Sequence, residues 1–212
     1  MNQFLFFIFQ LAVFLFSVMV HEVSHGVVAH KLGDDTAQRA GRLTLNPLKH
    51  LDPFGSIILP LLLSIPALFG QPAFIFGWAK PVPYNPLRLK NPNLGAALIA
   101  VAGPLTNFVL AAIFGLIIRA AISAGAGGEL GPALLFFNMI VFINVLLGVF
   151  NLVPIPPLDG SKLLFWLMPD RYARFKILLE QYGLFILLFF IFFGFRLIIP
   201  VIQAIYLLLT GQ

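Results

Sequence analysis

The chain has 212 residues, of which 60% are hydrophobic and 10% charged, with a net charge of +5 and no cysteine. So few charges cannot cover a water-facing surface, since soluble domains carry about 25%, so lipid must cover much of the molecule. Without cysteine there are no disulfides, thiolate metal sites or thiol nucleophiles, and the positive balance reflects scarce acids rather than a basic run suited to nucleic acid.

The first apolar stretch, about residues 4–31, is long enough to cross a hydrocarbon core of about 30 Å. No basic region precedes it and no small-residue cleavage site follows, so it reads as a permanent transmembrane helix rather than a cleaved leader. It carries His21-Glu22-Val23-Ser24-His25 near its end. On a helix, positions i and i+4 share a face one turn apart, so both imidazoles can reach one zinc ion. Glu22, beside the first, can act as general base on a water held there. Ionisable groups in an apolar helix are costly and mark function; the alternative is a satisfied polar cluster between helices. His30, nine residues on, points to the opposite face and reads as interfacial. His50, beside Asp52, reads as a solvated loop histidine.

Residues 53–77 are apolar but cut by Pro53, Pro60, Pro66 and Pro72. If this segment makes no net crossing, Lys31, Arg39, Arg42, Lys49, Lys80, Arg88 and Lys90 share one side with Lys162, Arg171, Arg174 and Lys176. Arg119 alone then lies opposite. Lys and Arg favour the cytoplasmic face, which selects a re-entrant or non-crossing segment and a site near the cytoplasmic side. The stretches 40–50 and 76–86 are expected as short membrane-associated strands: residues around Thr44 alternate, and Pro81, Pro83 and Pro86 exclude helix.

Two further spans are expected at about 95–122 and 133–153. Gly103-Pro104-Leu105-Thr106-Asn107 interrupts the first and reads as helix packing, with Asn107 serving carbonyls freed by Pro104. Asn138, Asn144 and Asn151 lie on the second. The first two read as ordinary interhelical hydrogen bonding, while Asn151 is a candidate to hold Asp159 or bind a substrate backbone or oxyanion. Pro154, Pro156 and Pro157 then stop the helix, and Gly160 permits a tight turn. Asp159 is therefore the candidate third zinc ligand; the alternative is a cap for the helix that follows. A last segment, 183–209, is either one span or a span broken near Pro200 and followed by a surface helix. The whole reads as one membrane-embedded helical bundle over 1–212, with C-terminal helices across about 160–209.

With HEVSH, GPLTN and NLVPIPPLDG in this order over about residues 4–165, the chain resembles the site-2 protease family of intramembrane zinc metalloproteases. The resemblance is to a compact prokaryotic type without PDZ or nucleotide-sensing domains. It implies a core of three helices, with the first antiparallel to the GPxxN helix. It implies one zinc on His21, His25 and Asp159, Glu22 as base, and Asn151 near the scissile bond. The expected function is hydrolysis of membrane-spanning protein or peptide substrates in the cell membrane of a prokaryote. Rival readings are a di-iron oxidase or desaturase and a metal transporter or silent scaffold. The oligomeric state is open.

Overall fold

The computed structural model describes residues 3–65, 77–125 and 131–211. Its helices are α1 (Gln3–Lys31), α2 (Thr36–Arg39), α3 (Leu59–Ser64), α4 (Pro92–Ser123), α5 (Gly131–Asn151), α6 (Gly160–Leu167), α7 (Ala173–Phe189) and α8 (Ile199–Thr210). Among the described residues, four stretches are long and apolar enough to cross a membrane: Phe6–Lys31, Pro92–Ser123, Ala133–Asn151 and Asp170–Leu197. The chain is thus a polytopic helical membrane protein. On α4 the exposed residues Leu98, Leu105, Val109, Ile113 and Leu116 recur at helical spacing, an outward stripe suited to lipid rather than water.

Helix ends follow local chemistry. α1 stops at Gly33, whose φ of 102° lies in the left-handed region, and Asp34 N–H closes on Ala29 O at 3.0 Å. α4 starts where the Asn91 side chain accepts from Leu94 N–H and Pro92 fits the first turn. The break expected near Pro200 falls just before it. The helix loosens and turns over Phe190–Leu197, and Pro200 sits in the first turn of α8.

The core lies between α4, α5 and α8, around Ala111, Ile118, Val141, Val145 and Ile202. Small residues set the spacing: a Cβ on Gly115 would lie 2.9 Å from Leu209 Cβ, and one on Gly148 2.8 Å from the Phe108 ring. Along α1, Ser17, His21 and His25 meet Asn107, Gly103 and Ile99 of α4 in reverse order, so the two helices run antiparallel.

Among the described residues no strand forms, which corrects that expectation. Residues 40–50 fold through turns and a single helical turn at Pro47–Lys49. Residues 77–85 form no ladder with the described residues, because their inward amides go to unlike acceptors. Trp78 N–H bonds to Gly55 O at 3.2 Å, Lys80 N–H to His50 O at 2.8 Å, and Val82 N–H to the Glu22 carboxylate at 2.9 Å. Phe76 and the 66–76 part of the segment 53–77 lie outside the described residues.

Candidate metal centre

His21 and His25 stand one turn apart with ring centroids 4.6 Å apart and planes at 89°. Asp159 comes to them from the turn after α5. Its Oδ2 lies 3.0 Å from His21 Nε2 and 3.3 Å from His25 Nε2. It occupies the position before α6 but makes no capping hydrogen bond, so its carboxylate is committed to the histidines. Gly160 permits this turn: a Cβ there would lie 2.2 Å from Leu152 O. The candidate ligand atoms of His21, Glu22 and His25 all fall within 4.8 Å of one another.

The outer nitrogens fix the tautomers. His25 Nδ1 lies 2.6 Å from Ile99 O, which only accepts, so Nδ1 carries the proton. His21 Nδ1 lies 2.6 Å from Asn107 Oδ1. The orientation of that amide is set through a chain of partners. Asn144 Nδ2 donates to Ile140 O, an obligate acceptor, and to Ser17 Oγ. Asn144 Oδ1 therefore faces Asn107 Nδ2 at 2.9 Å, and Asn107 Oδ1 is left to accept from His21. With both Nδ1 atoms engaged outward, the two Nε2 atoms and one carboxylate oxygen face one another. Once Nε2 sheds any proton, these are three converging acceptors, an arrangement that a divalent cation satisfies. Two imidazole nitrogens and one carboxylate fit zinc.

The GPLTN stretch does more than pack. Asn107 is fully buried and serves His21, Asn144 and Ser17 O rather than carbonyls freed by Pro104. A Cβ on Gly103 would lie 2.5 Å from the His21 ring and 2.6 Å from His25 Cε1, so this glycine makes room for both imidazoles. Asn144 makes the interhelical hydrogen bonds expected of it, to Asn107 of α4 and Ser17 of α1, and through Asn107 it also supports His21, a role that only the meeting of three helices reveals.

Asn151 donates to Leu147 O at 2.9 Å in its own helix and makes no hydrogen bond to Asp159. It lines two cavities that meet beside His21 and Glu22. One, of about 260 Å³, also carries Pro81, Tyr84, Asp159 and Lys162. The other, of about 460 Å³, is mostly apolar and reaches Phe14, Trp78, Leu147 and Leu187. His30 is exposed, as expected. His50 is not solvated: it is buried, holds Thr44 O at 2.8 Å through Nε2, and lines neither cavity.

Outside the apolar helices, Asp34 anchors the far end of the 77–85 segment. It is buried and accepts from Asn85 N–H, from Thr36 N–H and from the Thr36 hydroxyl. Burial pushes its carboxyl up, but these hydrogen bonds and the nearby Arg88 charge outweigh it and hold the pKa below 3.8.

The sequence profile of peptidase family M50 matches residues 116–190. The candidate zinc metalloprotease YwhC of Bacillus subtilis is 36% identical over 96% of this chain and 92% of its own length. The candidate zinc metalloprotease Rip2 of Mycolicibacterium smegmatis is 32% identical over 73% of this chain and 55% of its own length. An archaeal relative, the candidate zinc metalloprotease MJ0611 of Methanocaldococcus jannaschii, is 31% identical over 74% of this chain and 73% of its own. No solved structure is detectably similar. The profile begins beyond the histidines, but the match to YwhC runs nearly the full length of both chains. The chain therefore belongs to peptidase family M50, the site-2 protease family of intramembrane zinc metalloproteases.

Proposed function

We propose that the chain is a zinc endopeptidase that cuts membrane-spanning polypeptides, with one zinc held by His21, His25 and Asp159 and with Glu22 as general base. The observation that carries this reading is the convergence of two Nε2 atoms and one carboxylate oxygen beside Glu22. Bound there, zinc would supply a Lewis acid for the scissile carbonyl and bring a water's pKa towards 7. Glu22 takes the proton from the attacking water and passes it to the leaving amide nitrogen, so the peptide bond breaks as the new carboxyl forms. Val82 N–H holds the Glu22 carboxylate in place for both transfers. Asn151, in the wall shared by the two cavities, hydrogen-bonds the substrate backbone or the developing oxyanion.

A helical substrate hides its carbonyls in its own hydrogen bonds and must unwind locally. The open edge of residues 77–83 then receives the extended stretch by strand addition. The cavity with Lys162, the more polar of the two, supplies water, and the apolar one faces the lipid-soluble substrate. We read 53–77 as making no net crossing. The hydrogen bond between Trp78 and Gly55 brings the two ends of the segment together and supports this. The basic residues then lie on the cytoplasmic side of a prokaryotic cell membrane, with the site near that side. We read residues 1–212 as one peptidase domain. Among the described residues His21, Glu22 and His25 form the only grouping of three or more metal-ligand candidates, and Asp159 adds one carboxylate to it. A di-iron centre needs more ligands than this.

The test is Glu22→Gln in purified protein in lipid nanodiscs. The variant is expected to keep its zinc and lose at least about a hundredfold in cleavage of transmembrane peptides. A fully active variant refutes the mechanism.

A further inference from the structure

In the chain Gly77 to Pro83, the amides of Trp78, Lys80 and Val82 all turn inward, to Gly55 O, His50 O and Glu22 Oε2. Trp78 O turns the same way and accepts from Ser56 Oγ at 2.7 Å. In an extended chain successive residues aim their N–H and C=O groups at opposite sides. The outward edge therefore belongs to Gly77, Ala79, Pro81 and Pro83. Pro81 and Pro83 have no N–H. Ala79 N–H has no partner among the described residues, and it is the last backbone donor on that edge before the catalytic glutamate.

Resting on the peptidase reading above, we infer that Ala79 sets the register of the bound substrate and so selects which peptide bond meets Glu22. An open strand edge in an apolar site carries a cost for every amide left unpaired. The prolines remove two such amides in the empty enzyme. They also leave Ala79 as the only outward residue from there to Pro83 that can exchange both bonds of an antiparallel pair. A substrate strand slipped by two residues towards Pro81 finds a carbonyl but no donor, so its own carbonyl goes unpaired. The Val82 amide fixes Glu22 to the same segment, about 10 Å along the chain from Ala79 at about 3.3 Å per residue. The distance between register point and base is therefore built into one stretch of backbone. Ala79 borders the apolar cavity and Pro81 the polar one, and both cavities share Glu22 and Asn151.

The test maps cleavage sites by mass spectrometry. The substrates are a library of synthetic single-span peptides of about 25 residues, Leu- and Ala-rich with a central Asn-Gly pair and lysine flanks, in nanodiscs with the full-length protein. Pro81→Ala restores an outward amide without touching the inward ones. It is expected to add a second cut displaced by two residues. Ala79→Pro removes the remaining donor and is expected to lower kcat/KM about tenfold through KM, with zinc content unchanged. A single unshifted cut by Pro81→Ala together with an unchanged KM for Ala79→Pro overturns the inference. If the wild type cuts none of the peptides, or Glu22→Gln cuts as well as wild type, the peptidase reading itself fails. Glu22-dependent cleavage that ignores both substitutions overturns the register alone.

Discussion

Asn107 offers the sharpest separation of metal binding from folding. It is fully buried, accepts from His21 Nδ1 at 2.6 Å and donates to Asn144 Oδ1 at 2.9 Å. Asn107→Leu keeps the branched side-chain skeleton but orphans one buried donor and one buried acceptor. Each costs about 1–3 kcal/mol, together about 2–6 kcal/mol of stability. Losing the group that orients His21 should also weaken zinc by about 10- to 100-fold, or about 1.4–2.7 kcal/mol. Asn107→Asp keeps the acceptor for His21 but sets an oxygen against Asn144 Oδ1. It should lose stability while holding zinc within about threefold of wild type. Asn144→Leu breaks the same network one step further from the metal and should behave likewise. Zinc affinity is read by competition with a fluorescent chelator, and stability by thermal melting of the metal-free protein. Equal zinc losses in all three variants, or none in Asn107→Leu, would refute the assignment of Asn107 to His21.

Gly103→Ala drives a methyl to 2.5 Å from a His21 ring held at its other nitrogen, so the ring cannot swing away freely. We expect zinc affinity to fall by at least about tenfold in the same competition assay, a shift of about 1.4 kcal/mol; wild-type affinity would show that the helices simply separate. Asp34 has a folded pKa below its ordinary 3.8, so its contribution to stability is fully present above that value and is lost as pH falls through the lower folded value. Acid titration of the melting temperature should show this step in wild type and not in Asp34→Asn. Asp34→Ala leaves the Asn85 and Thr36 amides without their acceptor and should cost about 2–6 kcal/mol at neutral pH.

Spacing within one helix was legible in the sequence, and contacts between helices mostly were not. The i, i+4 geometry of His21 and His25 follows from α-helical pitch, and the proline run before Asp159 signals a chain that turns back. The roles of Gly103 and Asn107 depend on which face of α4 crosses α1, which neither periodicity nor composition determines when all faces are apolar. The expectation of strands failed for a related reason. Pro81, Pro83 and Pro86 exclude helix and identify an extended chain around 77–85, but a strand also needs a neighbour of matching direction. This one meets a helix-borne carboxylate, a loop carbonyl and the Gly55 carbonyl of the helical stretch Pro53–Ile58 instead. His50 looked solvated beside Asp52, yet its contact with Thr44 O and the docking of Lys80 on its carbonyl bury it.

The most direct test of the metal centre is zinc-edge X-ray absorption, with zinc quantified per chain, on wild type and Asp159→Ala. We expect one zinc per chain, with a shell of two imidazole nitrogens plus oxygen, and loss of most of the metal when Asp159 is replaced. Full zinc occupancy and an unchanged shell in Asp159→Ala would contradict it.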